Sequence, residues 1–214
     1  FGLEYQPPNL STWENIIDKY NNPKGKVRIA VVGKYTKLKD AYKSLIEAFE
    51  HAGIHHQTKI QLVWINARSL ETQDWEKLEG IDGIMVPGGF GGEGVEGKIA
   101  AIEYARTRNI PFFGICYGMQ LAVIEAARNL VGLTDAASTE FTPETTNPVI
   151  GLLTEWQKED SVEKRSQKSD LGGTMRLGSY PAKLAKGSQI SSIYGGEETI
   201  YERHRHRYEV NSNY

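Results

Sequence analysis

The sequence predicts an α/β protein with a mostly parallel central sheet flanked by helices. Three observations carry that prediction. Short β-branched apolar runs alternate with stretches of helical periodicity from Val27 to Leu130, the rhythm of a parallel sheet covered on both faces. The first run, VRIAVVG at 27–33, is closed by glycine, as suits a strand buried above and below. Two glycine-bearing loops, after Val86 and after Ile115, fall at strand ends, and parallel sheets bind ligands at the carboxyl ends of their strands.

The elements follow in order. Phe1–Gly25 has turn-formers at both ends and one short amphipathic segment, Ser11–Tyr20, so it reads as a linker carrying a short helix. Residues 26–214 read as one domain, long enough for a sizeable core. After the strand at 27–33, DAYKSLIEAFEHAG places Ala41, Leu45, Ala48, Phe49 and Ala52 at helical spacing, with Gly53 at the position just past the helix end. Next are a strand at Ile60–Ile65, a short helix near Leu70–Leu78, and a strand at Asp82–Val86. A helix around Gly97–Arg106, a strand at Pro111–Ile115 and a helix at Tyr117–Leu130 complete the alternation. From Gly132 the rhythm breaks. Glu155–Gly173 is charged and reads as a solvated surface loop, while TMRLGSYPAKL and TIYERHRHRYEV read as strands.

Composition excludes several classes. Lys and Arg number 25 against 27 Asp and Glu, a formal net charge of −2, so nothing global draws the chain to nucleic acid or an anionic membrane. No apolar stretch approaches the ~18 residues that span a bilayer, and 1–22 lacks a signal peptide's apolar core. One cysteine forms no internal disulfide, which argues for a reducing compartment such as the cytoplasm and against a Cys-based zinc or iron–sulfur centre. No metal is expected. The start at Phe1, without Met, suggests a piece of something larger.

The glycine-rich stretch MVPGGFGGEGVEGKIAAIEYA offers two decoys. Gly92 to Lys98 fits G-x-x-x-x-G-K, but Ile99 stands where a Ser or Thr should hold magnesium. Gly89 to Gly94 fits G-x-G-x-x-G, yet that fingerprint belongs near the amino end of a dinucleotide fold, and Glu93 and Glu96 would face a pyrophosphate and repel it. A third reading is that backbone N–H groups exposed by glycine stabilise an oxyanion.

Gly114-Ile115-Cys116-Tyr117-Gly118 has the G-x-nucleophile-x-G form of a strand-to-helix elbow, with sulfur in place of oxygen. Side chains two residues before and after so sharp a turn would collide with the neighbouring strand and helix, so both places favour glycine. The following helix N-terminus lowers a thiol's pKa and supplies N–H donors. The competing reading is an inert core thiol.

With these residues assembled, PGGFG at 87–91, GICYGMQ at 114–120, STEF at 138–141, GGTMRLG at 172–178 and ERHRHRYEVN at 202–211 resemble the class I glutamine amidotransferases. GGTMRLG with ERHRHRYEVN narrows the likeness to the glutaminase domains of the CTP synthase family, with a flavodoxin-like fold. VGKYTKLKDAYKS is similar to the start of that domain, and NLSTWENII to the linker that joins it to an amidoligase domain. The resemblance implies that Cys116 attacks the side-chain amide of glutamine, with the N–H groups of Gly88 and Tyr117 as oxyanion donors. It implies a glutamine site at Gly89, Tyr117, Gly118, Met119, Gln120, Glu140 and Arg207. Glu140 would take the α-ammonium and Arg207 the α-carboxylate. Phe90 and Arg176 would lie in the effector and lid region. By the same resemblance, ammonia passes to an amidoligase domain of the same polypeptide that converts UTP to CTP with ATP and Mg2+, GTP is the allosteric activator, and the parent enzyme is a homo-oligomer, a tetramer.

The chain departs from that pattern in two places. Position 117 is Tyr where the family commonly has Leu. The family completes its triad with a His-x-Glu pair, and the sequence reaches Tyr214 without one, so the chain by itself is expected to be inactive and less stable. Among the histidines, His51, His55 and His56 read as solvated surface. In an extended segment Glu202, His204, His206 and Tyr208 share one face and Arg203, Arg205 and Arg207 the other, which nominates Glu202 and His204 as a substitute orienter and base. Two further readings stay open: a non-catalytic module that senses glutamine or binds a partner, and another class I amidotransferase of the GMP synthase type.

Overall fold

The structure, a computed structural model, describes residues 7–34, 36, 38–72, 74–152, 155–158, 161–164 and 175–214. The chain divides into two compact units, residues 1–125 and 126–214.

In the first unit the expected short helix is α1 (Ser11–Asn21), none of whose residues is buried. Strand β1 (Gly25–Gly33) follows, with Ala30, Val31 and Val32 fully buried: consecutive side chains point to opposite faces, so both faces are covered there. A 3-10 turn, Lys39–Tyr42, leads into α2 (Lys43–His56). The helix does not stop at Gly53. It runs to His56, and Gln57 takes the left-handed turn with φ 51°. Gly53 is buried within α2, and a Cβ there would stand 2.7 Å from the Thr58 carbonyl oxygen; it marks a close approach, not a stop.

β2 (Thr58–Asn66) is followed by α3 (Ala67–Glu71) and a separate 3-10 turn, Trp75–Leu78, where one helix near 70–78 was expected. The Asn66 side chain accepts the Arg68 N–H at 3.0 Å and starts α3 early, and Thr72 Oγ1 donates back to the Ser69 carbonyl as α3 closes. β3 (Gly83–Val86), α4 (Val95–Thr107), β4 (Phe112–Gly114) and α5 (Tyr117–Asn129) then appear as expected, within a residue or two.

These four strands form one parallel sheet in the order β2-β1-β3-β4. The chain steps from β1 to β2 on one side, then returns to place β3 on the other. Loops leaving the carboxyl ends of β1 and β3 therefore diverge and open a crevice between them. Helix α4 closes on α3 so tightly that a Cβ on Gly97 would lie 1.8 Å from the Ala67 carbonyl oxygen. α4 is joined to α5 by Arg106, whose Nη2 donates to Oε1 of the buried Glu125 at 2.7 Å.

The second unit contains β5 (Ala137–Ser138), β6 (Pro148–Leu152), β7 (Glu155–Lys158), β8 (Ser161–Lys164), β9 (Arg176–Lys183), α6 (Gln189–Ile193), β10 (Thr199–His206) and β11 (Tyr208–Val210). β9 and β10 pair antiparallel, and β11, β6 and β5 form a second sheet. Two expectations change. Part of the segment read as a surface loop is the antiparallel pair β7–β8, with Lys158 opposite Ser161; a charged composition marks solvation and does not forbid strand pairing. Residues 159–160 and 165–173 of that segment, and residues 172–174 of GGTMRLG, lie outside the described residues. The segment 199–210 is not one strand either: the chain breaks at Arg207, and β11 leaves β9 behind to pair with β6. His204 and His206 are half-buried while Arg203 and Arg205 are exposed, as alternation requires, but Arg207 and Tyr208 are both half-buried because the change of partner resets the alternation.

Candidate active site

Between the end of β4 at Gly114 and the start of α5 at Tyr117 only Ile115 and Cys116 remain to turn strand into helix. Cys116 takes φ 49°, a left-handed conformation that costs a residue with a Cβ roughly 1–3 kcal/mol and persists only where its surroundings enforce it. They do. The Ile115 N–H donates to the Val86 carbonyl at 3.0 Å, while the Gly118 and Gln120 N–H groups donate to the carbonyls of Ile115 and Cys116 at 2.9 and 3.0 Å.

Both flanking glycines are required by space. A Cβ on Gly114 would lie 2.6 Å from the Gly118 carbonyl carbon, and one on Gly118 would lie 2.1 Å from the Val86 carbonyl oxygen. The first would strike the helix start and the second the adjacent strand. The cysteine they frame is exposed, so it is not a core thiol, and it stands immediately before the N-terminus of α5.

The PGGFG loop, which follows β3, comes against this elbow. A Cβ on Gly88 would stand 3.8 Å from the Cys116 Cβ, and one on Gly89 3.6 Å from the Tyr117 ring. Tyr117 is 2% exposed and its hydroxyl donates to the Gly91 carbonyl. Lys98 Nζ lies 5.1 Å from the centre of the same ring and donates to the Glu93 carbonyl at 3.2 Å. Burial first, and then the charge of Lys34, hold the Lys98 ammonium below the usual lysine range. The Glu93 carboxylate meets Lys34 at 2.6 Å and Arg68 at 3.1 Å. The hydrogen bond from Lys34 leads the causes that hold its carboxyl below the ordinary value.

Gly94, with φ 70°, opens α4, Gly97 packs on α3, and Ile99 is buried where a P-loop would need a Ser or Thr hydroxyl facing magnesium. The argument from repulsion loses Glu93, whose charge is met by Lys34 and Arg68.

A cavity of about 200 Å³ lies in the crevice at the ends of β1 and β3; Gly33, Lys34, Tyr42, Gly88, Gly89 and Phe90 line it. Phe90 is 74% exposed and Met119 42%, while Gly118 and Gln120 are buried. Sequence reasoning missed Lys34, Tyr42 and Arg68 and met Lys98 only as the end of a P-loop match that it set aside. For Lys34 a signal existed, since it follows the glycine that closes β1.

In the second unit, Glu140 is half-buried and its N–H donates to Ser138 Oγ at 3.2 Å. The Tyr208 hydroxyl is held above the usual tyrosine range by burial first and then by the charge of Glu140, with Arg207 acting the other way. Glu140 and Arg207 are thus both within electrostatic reach of one ring. Arg207 Nε is buried and has no hydrogen-bond partner among the described residues. Arg176 donates to Glu209 at 2.7 Å. The nominated base pair does not form: the Glu202 carboxylate accepts the Tyr194 hydroxyl at 2.8 Å, and His204 Nδ1 lies 3.1 Å from His206 Nε2. Burial first, then the charge of Arg176, hold the His204 imidazole below its ordinary value. Among the described residues no helix is long and apolar enough to cross a membrane.

A parallel α/β sheet presenting an exposed cysteine between a strand and a helix, with glycine on both sides, has the strand–elbow–helix context in which nucleophile elbows occur. Residues 37–214 match the family described as Glutamine amidotransferase class-I, and the chain belongs to that family. Its relatives narrow the likeness further. The chain is 59% identical over 215 residues to the CTP synthase of Nitrobacter hamburgensis, covering 100% of this chain and 40% of that protein. It is 60% identical over 208 residues to the CTP synthase of Methylorubrum populi, covering 97% and 38%. The chain therefore spans about two fifths of the length of these curated relatives. Among solved structures it is similar to the glutaminase domain of Trypanosoma brucei CTPS with bound acivicin, at TM-score 0.76 and 41% identity, covering 88% of this chain and 69% of that one.

Proposed function

We propose that this chain is the glutaminase domain of a CTP synthase, with residues 1–25 as its linker and 26–214 as the domain proper. Cys116 as thiolate attacks the side-chain amide carbon of glutamine. The oxyanion that develops is met by the backbone N–H groups of Gly88 and Tyr117. Ammonia leaves with a proton from the base, and water hydrolyses the γ-glutamyl thioester to glutamate and restores the thiol. The base would be the family's His-x-Glu pair. Gly89, Gly118, Met119 and Gln120 line the amide end, with Glu140 on the α-ammonium and Arg207 on the α-carboxylate. The buried Nε of Arg207, without a hydrogen-bond partner among the described residues, supports that last assignment.

By the same reading, ammonia serves an amidoligase domain of the same polypeptide that aminates UTP to CTP with ATP and Mg2+. GTP acts as activator near Phe90 and Arg176, the enzyme is a cytoplasmic homo-oligomer, and this domain needs no cofactor of its own. One observation carries the proposal: an exposed cysteine at φ 49° with glycine required by space on both sides. An electrophilic glutamine analogue added to the full-length protein is expected to give one adduct, mapped to Cys116 by mass spectrometry; the absence of an adduct there would sink the proposal.

Tyr117 allows a finer test. Its hydroxyl holds the Gly91 carbonyl, so Tyr117→Phe keeps the packed ring and releases the glycine loop from the elbow. We expect kcat for glutamine hydrolysis to fall about tenfold with KM little changed, since a hydrogen bond that aligns oxyanion donors acts on the transition state. An unchanged kcat would mean the tie is only structural.

A further inference from the structure

We propose that His204, His206 and Glu209 form a binding site for one divalent transition-metal ion of the zinc or cobalt type. One ligand atom from each of the three residues lies within 4.8 Å of the others, and all three residues are half-buried. The distance between His204 Nδ1 and His206 Nε2 is 3.1 Å. Two imidazole nitrogens each ~2.0–2.1 Å from a tetrahedral zinc stand about 3.3 Å apart, so the pair is already at the bite of one ion.

His206 has the outer partner that a metal-bound histidine needs: its Nδ1 lies 3.2 Å from the Tyr208 carbonyl. A carbonyl only accepts, so Nδ1 carries the proton and Nε2 presents its lone pair toward His204. The His204 ring is backed by Tyr180 at 5.2 Å between centroids, and the β9–β10 ladder holds both histidines opposite Gly178 and Arg176. Glu209 comes from β11, fixed by its pairing with Gly151. Two strands of different sheets thus supply the ligands.

Arg176 sets a limit on affinity. Its Nη1 donates to Glu209 Oε1 at 2.7 Å, so its charge opposes a cation nearby. A carboxylate has two oxygens and can serve a guanidinium and a metal at once, as outer hydrogen bonds to ligating carboxylates commonly do. With two neutral imidazoles and one carboxylate, the ion's fourth position is left to water. On binding, the His204 proton moves from Nδ1 to Nε2, so the imidazole remains neutral. A bound ion would also fix the turn at Arg207, which lies between two of the ligands.

The test is titration of the full-length protein with Co2+, read by visible absorption of four-coordinate cobalt, and with Zn2+ by calorimetry. We expect one equivalent to bind, with affinity reduced 10- to 100-fold in His204→Gln and in Glu209→Gln and unchanged in His55→Gln on α2. Arg176→Gln, which keeps all three ligands and removes the opposing charge, is expected to bind several-fold more tightly. No saturable binding by the wild type, binding that survives His204→Gln, or weaker binding by Arg176→Gln would overturn the proposal. None of these readouts involves glutamine, so failure here leaves the glutaminase reading untouched.

Discussion

Cys116→Ala in the full-length protein is expected to lower glutamine-dependent CTP formation by roughly 10⁴-fold or more, the scale on which loss of a nucleophile acts. Ammonia-dependent CTP formation should continue at its original rate, because in the proposed reaction ammonia enters after the step assigned to Cys116. Measuring both rates on one preparation separates lost chemistry from lost fold. Cys116→Gly sharpens the point. The backbone at φ 49° is strained for cysteine and relaxed for glycine, so this variant should be equally inactive in glutamine hydrolysis yet about 1 kcal/mol more stable. Glutamine-dependent activity retained by either variant would end the nucleophile assignment.

Gly118→Ala is expected to cost stability and activity together. Its Cβ would stand 2.1 Å from the Val86 carbonyl oxygen, part of the backbone of a strand whose side chains Ile84, Met85 and Val86 are at most 2% exposed. Nothing there can swing aside, so α5 must move off β3, at roughly 3 kcal/mol or more on the scale of overpacked cores. Moving α5 also moves Cys116, and glutamine hydrolysis should fall at least 100-fold while the ammonia reaction persists. Gly151→Ala is the matched control: among the described residues no atom lies within 4 Å of its added Cβ, so its thermal midpoint should barely shift. Equal midpoints for the two variants would show that the elbow is not held as tightly as the distances say.

The elbow was legible because everything that shapes it lies within a few residues: the apolar strand before it, Gly114 and Gly118, and the helix after it. The parallel strands were legible for the same reason, as short β-branched runs with their own period. What escaped depends on distant partners. Gly53 looked like a helix stop until the Thr58 carbonyl was seen against it, and nothing near Lys98 in the sequence indicates that its amine stands beside the Tyr117 ring. Alternation through 199–210 implied one strand, but no local period records that β11 exchanges β9 for β6 at Arg207. Charge in 155–158 and 161–164 marked solvation and could not distinguish paired strands from a loop. The base was the weakest reading, since Glu202 and His204 share a face and each takes a different partner.

The tie from Tyr117 to Gly91 joins two stretches of chain that meet only in the folded state. A leucine there could fill the space but could not restrict where the glycine loop wanders. The hydroxyl narrows that wandering before any substrate arrives, so the entropy of ordering the loop is lost once, during folding, and not again at every turnover.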